Sequence, residues 1–157
     1  MRVISIYDYT ENEYLDGVYN EVAVMFRDLI KEILPTIASD SGADYGSEVT
    51  DWYEKSKDIY LVIADNEDIA GFYMGAVYKG FCKPHYVAEH CYVKPRYRNT
   101  KAAYLLYNKG AQRAKELGLT LITNAYLLGN NKVDSIVSKF AKPLFTQYIR
   151  EVENGRQ

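Results

Sequence analysis

The chain is poor in cysteine, proline, histidine and tryptophan, with two, four, two and one in 157 residues. Two cysteines, Cys82 and Cys91, are too few for the disulfide framework of a small secreted domain and suit reduced thiols. Few prolines and no low-complexity tract leave no long linker. The expectation is therefore one domain over residues 1–157, a length that can enclose a single apolar core. No apolar run approaches the roughly 20 residues that cross a bilayer. Asp8 interrupts the N-terminal segment before a signal-like stretch is complete. A cytoplasmic protein without a membrane partner is expected. Excess charge of one sign is also missing. At a net charge of −2 nothing draws the whole chain to nucleic acid, and an anion site must come from local clustering.

What is present is an ordinary globular mixture, 48% hydrophobic and 25% charged, which argues against disorder. Sixteen tyrosines fit half-buried strands, where the ring packs and the hydroxyl stays wet. Cys82, His85, His90 and Cys91 lie close in sequence but lack a paired C-x2-C knuckle. His90 and Cys91, adjacent on a strand, project to opposite faces. No metal site is expected.

Periodicity gives the element order. Arg2 to Tyr7 alternates as a strand. Val18 to Leu34 places Val22, Met25, Phe26, Leu29 and Ile33 on one helical face, and Pro35 stops it. Ser39 to Gly46 is turn chemistry, and Ser47 opens a helix from Glu48 to Lys57. Ile59–Ala64 and Ile69–Tyr78 flank a polar DNED turn and form an antiparallel hairpin. His85 to Val93 is a strand and Thr100 to Leu117 a helix with Gly118 as its C-terminal stop. Leu119 to Leu127 is a strand, Val133 to Phe140 a helix, and Leu144 to Val152 a sixth strand. The fold class is α/β (α+β), a mixed sheet flanked by helices.

The chemistry concentrates between Val93 and Leu106, VKPRYRNTKAAYLL. Pro95 ends the strand ladder. Lys94, Arg96, Arg98 and Lys101 follow, and Asn99 or Thr100 caps the helix. Unpaired first-turn amides and the helix dipole would attract a phosphate, so the loop reads as an anion site or as a solvated basic turn.

The run V-x-P-x-x-R, the small-residue helix ending at Gly118 and the strand LTLITNAYL resemble the Gcn5-related N-acetyltransferase (GNAT) superfamily over nearly the whole chain. The resemblance implies a mostly antiparallel central sheet and acetyl-coenzyme A as co-substrate. It also implies direct attack of a primary amine, from a small molecule or a protein lysine, in a ternary complex. The family's pyrophosphate loop, Arg/Gln-x-x-Gly-x-Gly/Ala, falls on Arg98, Asn99, Thr100, Lys101, Ala102 and Ala103. Arg98 and Ala103 match the pattern, and Lys101 replaces the first glycine. Divergent members, many of them phage-encoded, depart in similar ways. A strand amide among Cys91, Tyr92 and Val93 would polarise the thioester carbonyl. Glu89 stands where many members keep a base acting through water, or is a surface carboxylate. His90 is a second candidate base or a structural histidine, on the face opposite Glu89 unless a bulge intervenes. The family's thiolate-protonating tyrosine is absent, since position 137 is Val. Tyr126 is the candidate substitute or an ordinary strand aromatic, and Asn130 would contact the pantetheine arm or cap a helix. The acids Asp40, Asp44, Glu48 and Asp51 border the acceptor region and suit a cationic amine or a solvated loop. Members often form homodimers. A catalytically inactive binding or virion-associated protein of the same fold is the alternative. Nucleic-acid binding through Lys94 to Lys101 is the weaker one, because one basic loop is a small footprint.

Overall fold

The computed structural model describes residues 1–8, 12–33, 45–55, 57–79 and 83–123. The helix expected at 133–140, the strand at 144–152, and Asp40, Asp44, Cys82, Tyr126, Asn130 and Asn131 lie outside these residues. The chain divides into two units, Met1–Asn124 and Ala125–Gln157, and the architecture below is that of the first. Its elements are β1 (Arg2–Ser5), α1 (Asn12–Ile33), α2 (Tyr45–Glu54), β2 (Asp58–Ile63), β3 (Ile69–Tyr78), β4 (His85–Val93), α3 (Ala102–Glu116) and β5 (Thr120–Thr123). Short 3-10 turns follow β1 (Ile6–Asp8) and β4 (Pro95–Tyr97).

Five strands form one sheet in the order β1-β2-β3-β4-β5. The first three pairings are antiparallel, and β4 pairs with β5 in parallel, His85 opposite Thr120 through Ala88 opposite Thr123. Alternation along each strand feeds two cores. Ile59, Leu61, Phe72, Met74 and Tyr92 pack with Val22, Met25, Phe26 and Leu29 of α1 and with Val49 and Trp52 of α2. Tyr60, Val62, Tyr73, Tyr86, Ala88 and Val93 pack with Ala102, Leu106 and Ala114 of α3 on the other face. A fully buried side chain of this kind contributes roughly 1.5–3 kcal/mol, which is why the strands stay in register.

Some boundaries differ from expectation for local reasons. β1 stops at Ser5 because the Asp8 carboxylate accepts the Ser5 amide at 2.9 Å and turns the chain. α2 begins at Tyr45, not after Ser47, and so takes in Tyr45 and Gly46 from the expected loop. Tyr45 packs edge-on against Phe26 at 5.6 Å, a tertiary contact that overrides turn chemistry. Lys101, not Asn99 or Thr100, occupies the N-cap of α3 and makes no side-chain cap bond. Thr100 does part of that work, because its hydroxyl accepts the Ala102 amide at 3.2 Å. The other end follows expectation. Gly118 sits at φ +67°, its amide bonds Lys115 O at 3.0 Å and the Leu119 amide bonds Ala114 O at 2.9 Å, a Schellman stop.

Candidate active site

Strand β4 carries a bulge. Ala88 pairs with Gly75 and His90 with Met74, so Glu89 is an extra residue in the ladder. The insertion changes the parity of the strand. Tyr86 and Ala88 face α3 before the bulge, and Cys91 and Val93 face it after. Glu89 and His90 are thereby turned to the same face, that of α1 and α2, where Tyr92 also packs.

Glu89 accepts a hydrogen bond from the Tyr78 hydroxyl across the hairpin. That bond raises the Tyr78 phenol to about 12, with burial adding to it. His90 is half-buried, its ring 4.7 Å from Phe26 and 6.1 Å from Trp52. Burial lowers its pKa and Lys57 pushes the same way, while Glu89 and Glu48 oppose the shift. The imidazole is therefore neutral at pH 7, and its buried Nδ1 has no hydrogen-bond partner among the described residues. Trp52 is fixed by an indole bond to Glu48 at 3.0 Å, so that acid is a tether for an aromatic wall. Cys91 points the other way, into the α3 core, and burial pushes its thiol up to about 12. It remains a protonated packing group.

The loop after β4 is less open than its composition implies. Arg98 donates Nε to the Val93 carbonyl at 2.9 Å, bonds Glu32 of α1 at 2.6 Å and lies 5.4 Å over the Tyr92 ring. Lys94 pairs with Glu21 of α1 and lies 3.6 Å from Asp68. Asp68 also pairs with Arg96 and accepts the Tyr97 hydroxyl at 2.7 Å. The Tyr97 bond, with Lys94 and Arg96, holds the Asp68 carboxyl below its ordinary range. Three of the four basic residues are thus bound to acids from α1 and the β2–β3 turn, which loop composition does not reveal. Arg98 is a strut that ties loop, strand and helix together. Asn99, Thr100 and Lys101 are exposed, Ala102 is buried and Ala103 half-buried against the α3-side core. The first-turn amides of α3 have no acceptor within the helix.

Two open grooves flank α1. One of about 610 Å³ runs between α1 and the end of β4, lined by Glu21, Val24, Met25, Asp28, Tyr92, Lys94, Pro95 and Arg96. The other, about 720 Å³, lies between α1 and α2 and carries Asp16, Asp51 and Glu54. Of the acids expected near the acceptor, Asp51 lines this second groove, where it pairs with Lys55 at 2.6 Å.

Residues 23–133 match the family model described as acetyltransferase (GNAT) family, and the chain belongs to that family. Solved structures give the same fold. A Bacillus halodurans protein superposes at TM-score 0.73 with 10% identity, covering 98% of this chain and 100% of that one. Ribosomal-protein-alanine N-acetyltransferase from Brucella melitensis superposes at 0.59 with 14% identity, covering 96% and 97%. AAC(6')-Iy in complex with the bisubstrate analogue CoA-S-monomethyl-acetylneamine superposes at 0.61 with 15% identity, covering 83% and 91%. No curated protein matches. No helix among the described residues is long and apolar enough to cross a membrane.

Proposed function

We propose that this chain transfers the acetyl group of acetyl-coenzyme A to a primary amine, both substrates being held in one ternary complex. The observation that carries the reading is the continuity of one strand with two functional ends. β4 bulges at Glu89, and its far end leads through the Pro95–Tyr97 turn to the amide-bearing N-terminus of α3. The donor chemistry fits a diphosphate. The amides at the start of α3 beyond that of Ala102, which Thr100 already takes, offer hydrogen bonds and a positive dipole end, and the exposed Lys101 ammonium adds charge where the family pattern has glycine. A backbone amide among Cys91, Tyr92 and Val93, just past the bulge, is the proposed donor to the thioester carbonyl.

When bound, acetyl-coenzyme A supplies the activated acyl group. Glu89 removes the amine proton through water, oriented by the Tyr78 hydroxyl. The neutral imidazole of His90 is the second acceptor on the same face. Holding both substrates supplies much of the acceleration. Tyr126 and Asn130 remain the proposed proton donor to the leaving thiolate and pantetheine contact, on sequence grounds alone.

Release of the free thiol in the presence of amines tests this. Glu89→Gln is expected to lower kcat by about 100-fold with acetyl-coenzyme A affinity unchanged, and unaltered turnover would remove Glu89 as the base. Lys101 favours a second reading, a non-catalytic relative that keeps the fold. Cofactor binding without thiol release toward any amine would select it.

A further inference from the structure

We infer that the acceptor is a free α-amino acid with an apolar side chain, seated in the groove between α1 and the end of β4. The inference rests on the transferase reading above and names its acceptor.

The groove of about 610 Å³ lies within the range of small-molecule sites, roughly 300–1,000 Å³. Its walls are Val24, Met25, Tyr92 and Pro95, an apolar surface suited to a branched or aromatic side chain. Val24 is 45% exposed although apolar, so the α1 wall is open to solvent. Both signs of charge stand on the rim. Glu21 and Asp28 of α1 are 37% and 42% exposed, and Lys94 and Arg96 of the loop are 20% and 63% exposed.

These charges already have internal partners, yet they keep capacity. A lysine ammonium has three donors and a guanidinium five. Lys94 uses Glu21 and Asp68, and Arg96 gives one described bond, to Asp68. The free donors of Arg96 can take a carboxylate, while the remaining oxygens of Glu21 and Asp28 can accept from an ammonium. An α-amino acid presents that pair of opposite charges on one carbon. A polycation would meet two like charges at this rim. Its natural seat would be the acidic groove between α1 and α2, which makes that groove the competing site.

The position suits the reaction. Tyr92 forms part of the wall and belongs to the strand segment proposed to hold the thioester. Met25 in the same wall precedes Phe26, which packs on His90. In the transfer the amine nitrogen bonds to the acetyl carbon and the C–S bond breaks. The amine proton leaves through Glu89, and the coenzyme A thiolate takes a proton from the donor proposed above, Tyr126.

The test measures thiol release by the full chain with acetyl-coenzyme A and four acceptors: phenylalanine, phenylalaninamide, a phenylalanine-initiated peptide and spermidine. Phenylalanine is expected to exceed phenylalaninamide in kcat/KM by about tenfold, the worth of one charge-assisted bond to the carboxylate. Arg96→Gln should narrow that gap to about twofold. Equal use of acid and amide, or preference for spermidine or the peptide, overturns the assignment and leaves the transferase reading standing. Failure to bind acetyl-coenzyme A, measured separately by calorimetry, overturns both.

Discussion

At the residue scale the site depends on a few contacts between groups far apart in sequence. Arg98 touches Val93, Glu32 and Tyr92 at once. Arg98→Ala should therefore weaken acetyl-coenzyme A binding and lower the urea midpoint together. Weaker binding with an unchanged midpoint would make Arg98 a direct ligand and not a strut. Gly110 lies in the middle of α3 against the buried ring of Tyr73, and an added Cβ would collide with that phenol. Gly110→Ala should cost about 1–3 kcal/mol in chemical denaturation, an overpacking penalty that exceeds the gain in helix propensity. Equal or greater stability would show that α3 can lift off the sheet freely. The His90 imidazole is depressed by burial, so folding favours its neutral form. That contribution is present above the unfolded value near 6.5 and fades as pH falls below it. His90→Gln should flatten the change in stability between about pH 7 and 5.

At the element scale the loop after β4 is held by acids from α1 and the β2–β3 turn. Asp68 is the hub, taking Tyr97, Arg96 and Lys94. Its folded carboxyl lies below the unfolded value, so the stabilisation is present above about pH 4 and is lost as pH falls through the folded pKa. Asp68→Asn should lower the denaturation midpoint at pH 7, and the offset from the parent chain should shrink as pH falls from about 4 through the folded carboxyl's pKa. A constant offset across that range would mean that the contact is not electrostatic.

How much of this was legible follows from the range of each cause. β3 and β4 matched their expected bounds because apolar content and flanking turns define them locally. Gly118 and the strand–loop–helix order were legible for the same reason. The bulge at Glu89 could be raised only as an alternative, because an extra residue exists only relative to a partner strand. The Tyr78 bond to Glu89 and the contacts of Glu21, Glu32 and Asp68 were not legible. Each is an ordinary polar residue on its own element, and its role comes from what the fold sets opposite it.

At the scale of the whole molecule, the first unit has a sheet between two helical layers, with the proposed chemistry along its bulged fourth strand. One face supplies acids, an imidazole and an aromatic wall. Past the end of the strand lies the helix terminus proposed to take the diphosphate. The family membership accounts for the fold, and Lys101 and Val137 are two positions where this chain departs from the pattern expected of the family. Isothermal titration with acetyl-coenzyme A tests the central claim most directly. The account predicts saturable binding of micromolar order that weakens as salt is raised, since part of it is charge on a diphosphate. No detectable heat with millimolar acetyl-coenzyme A would contradict it.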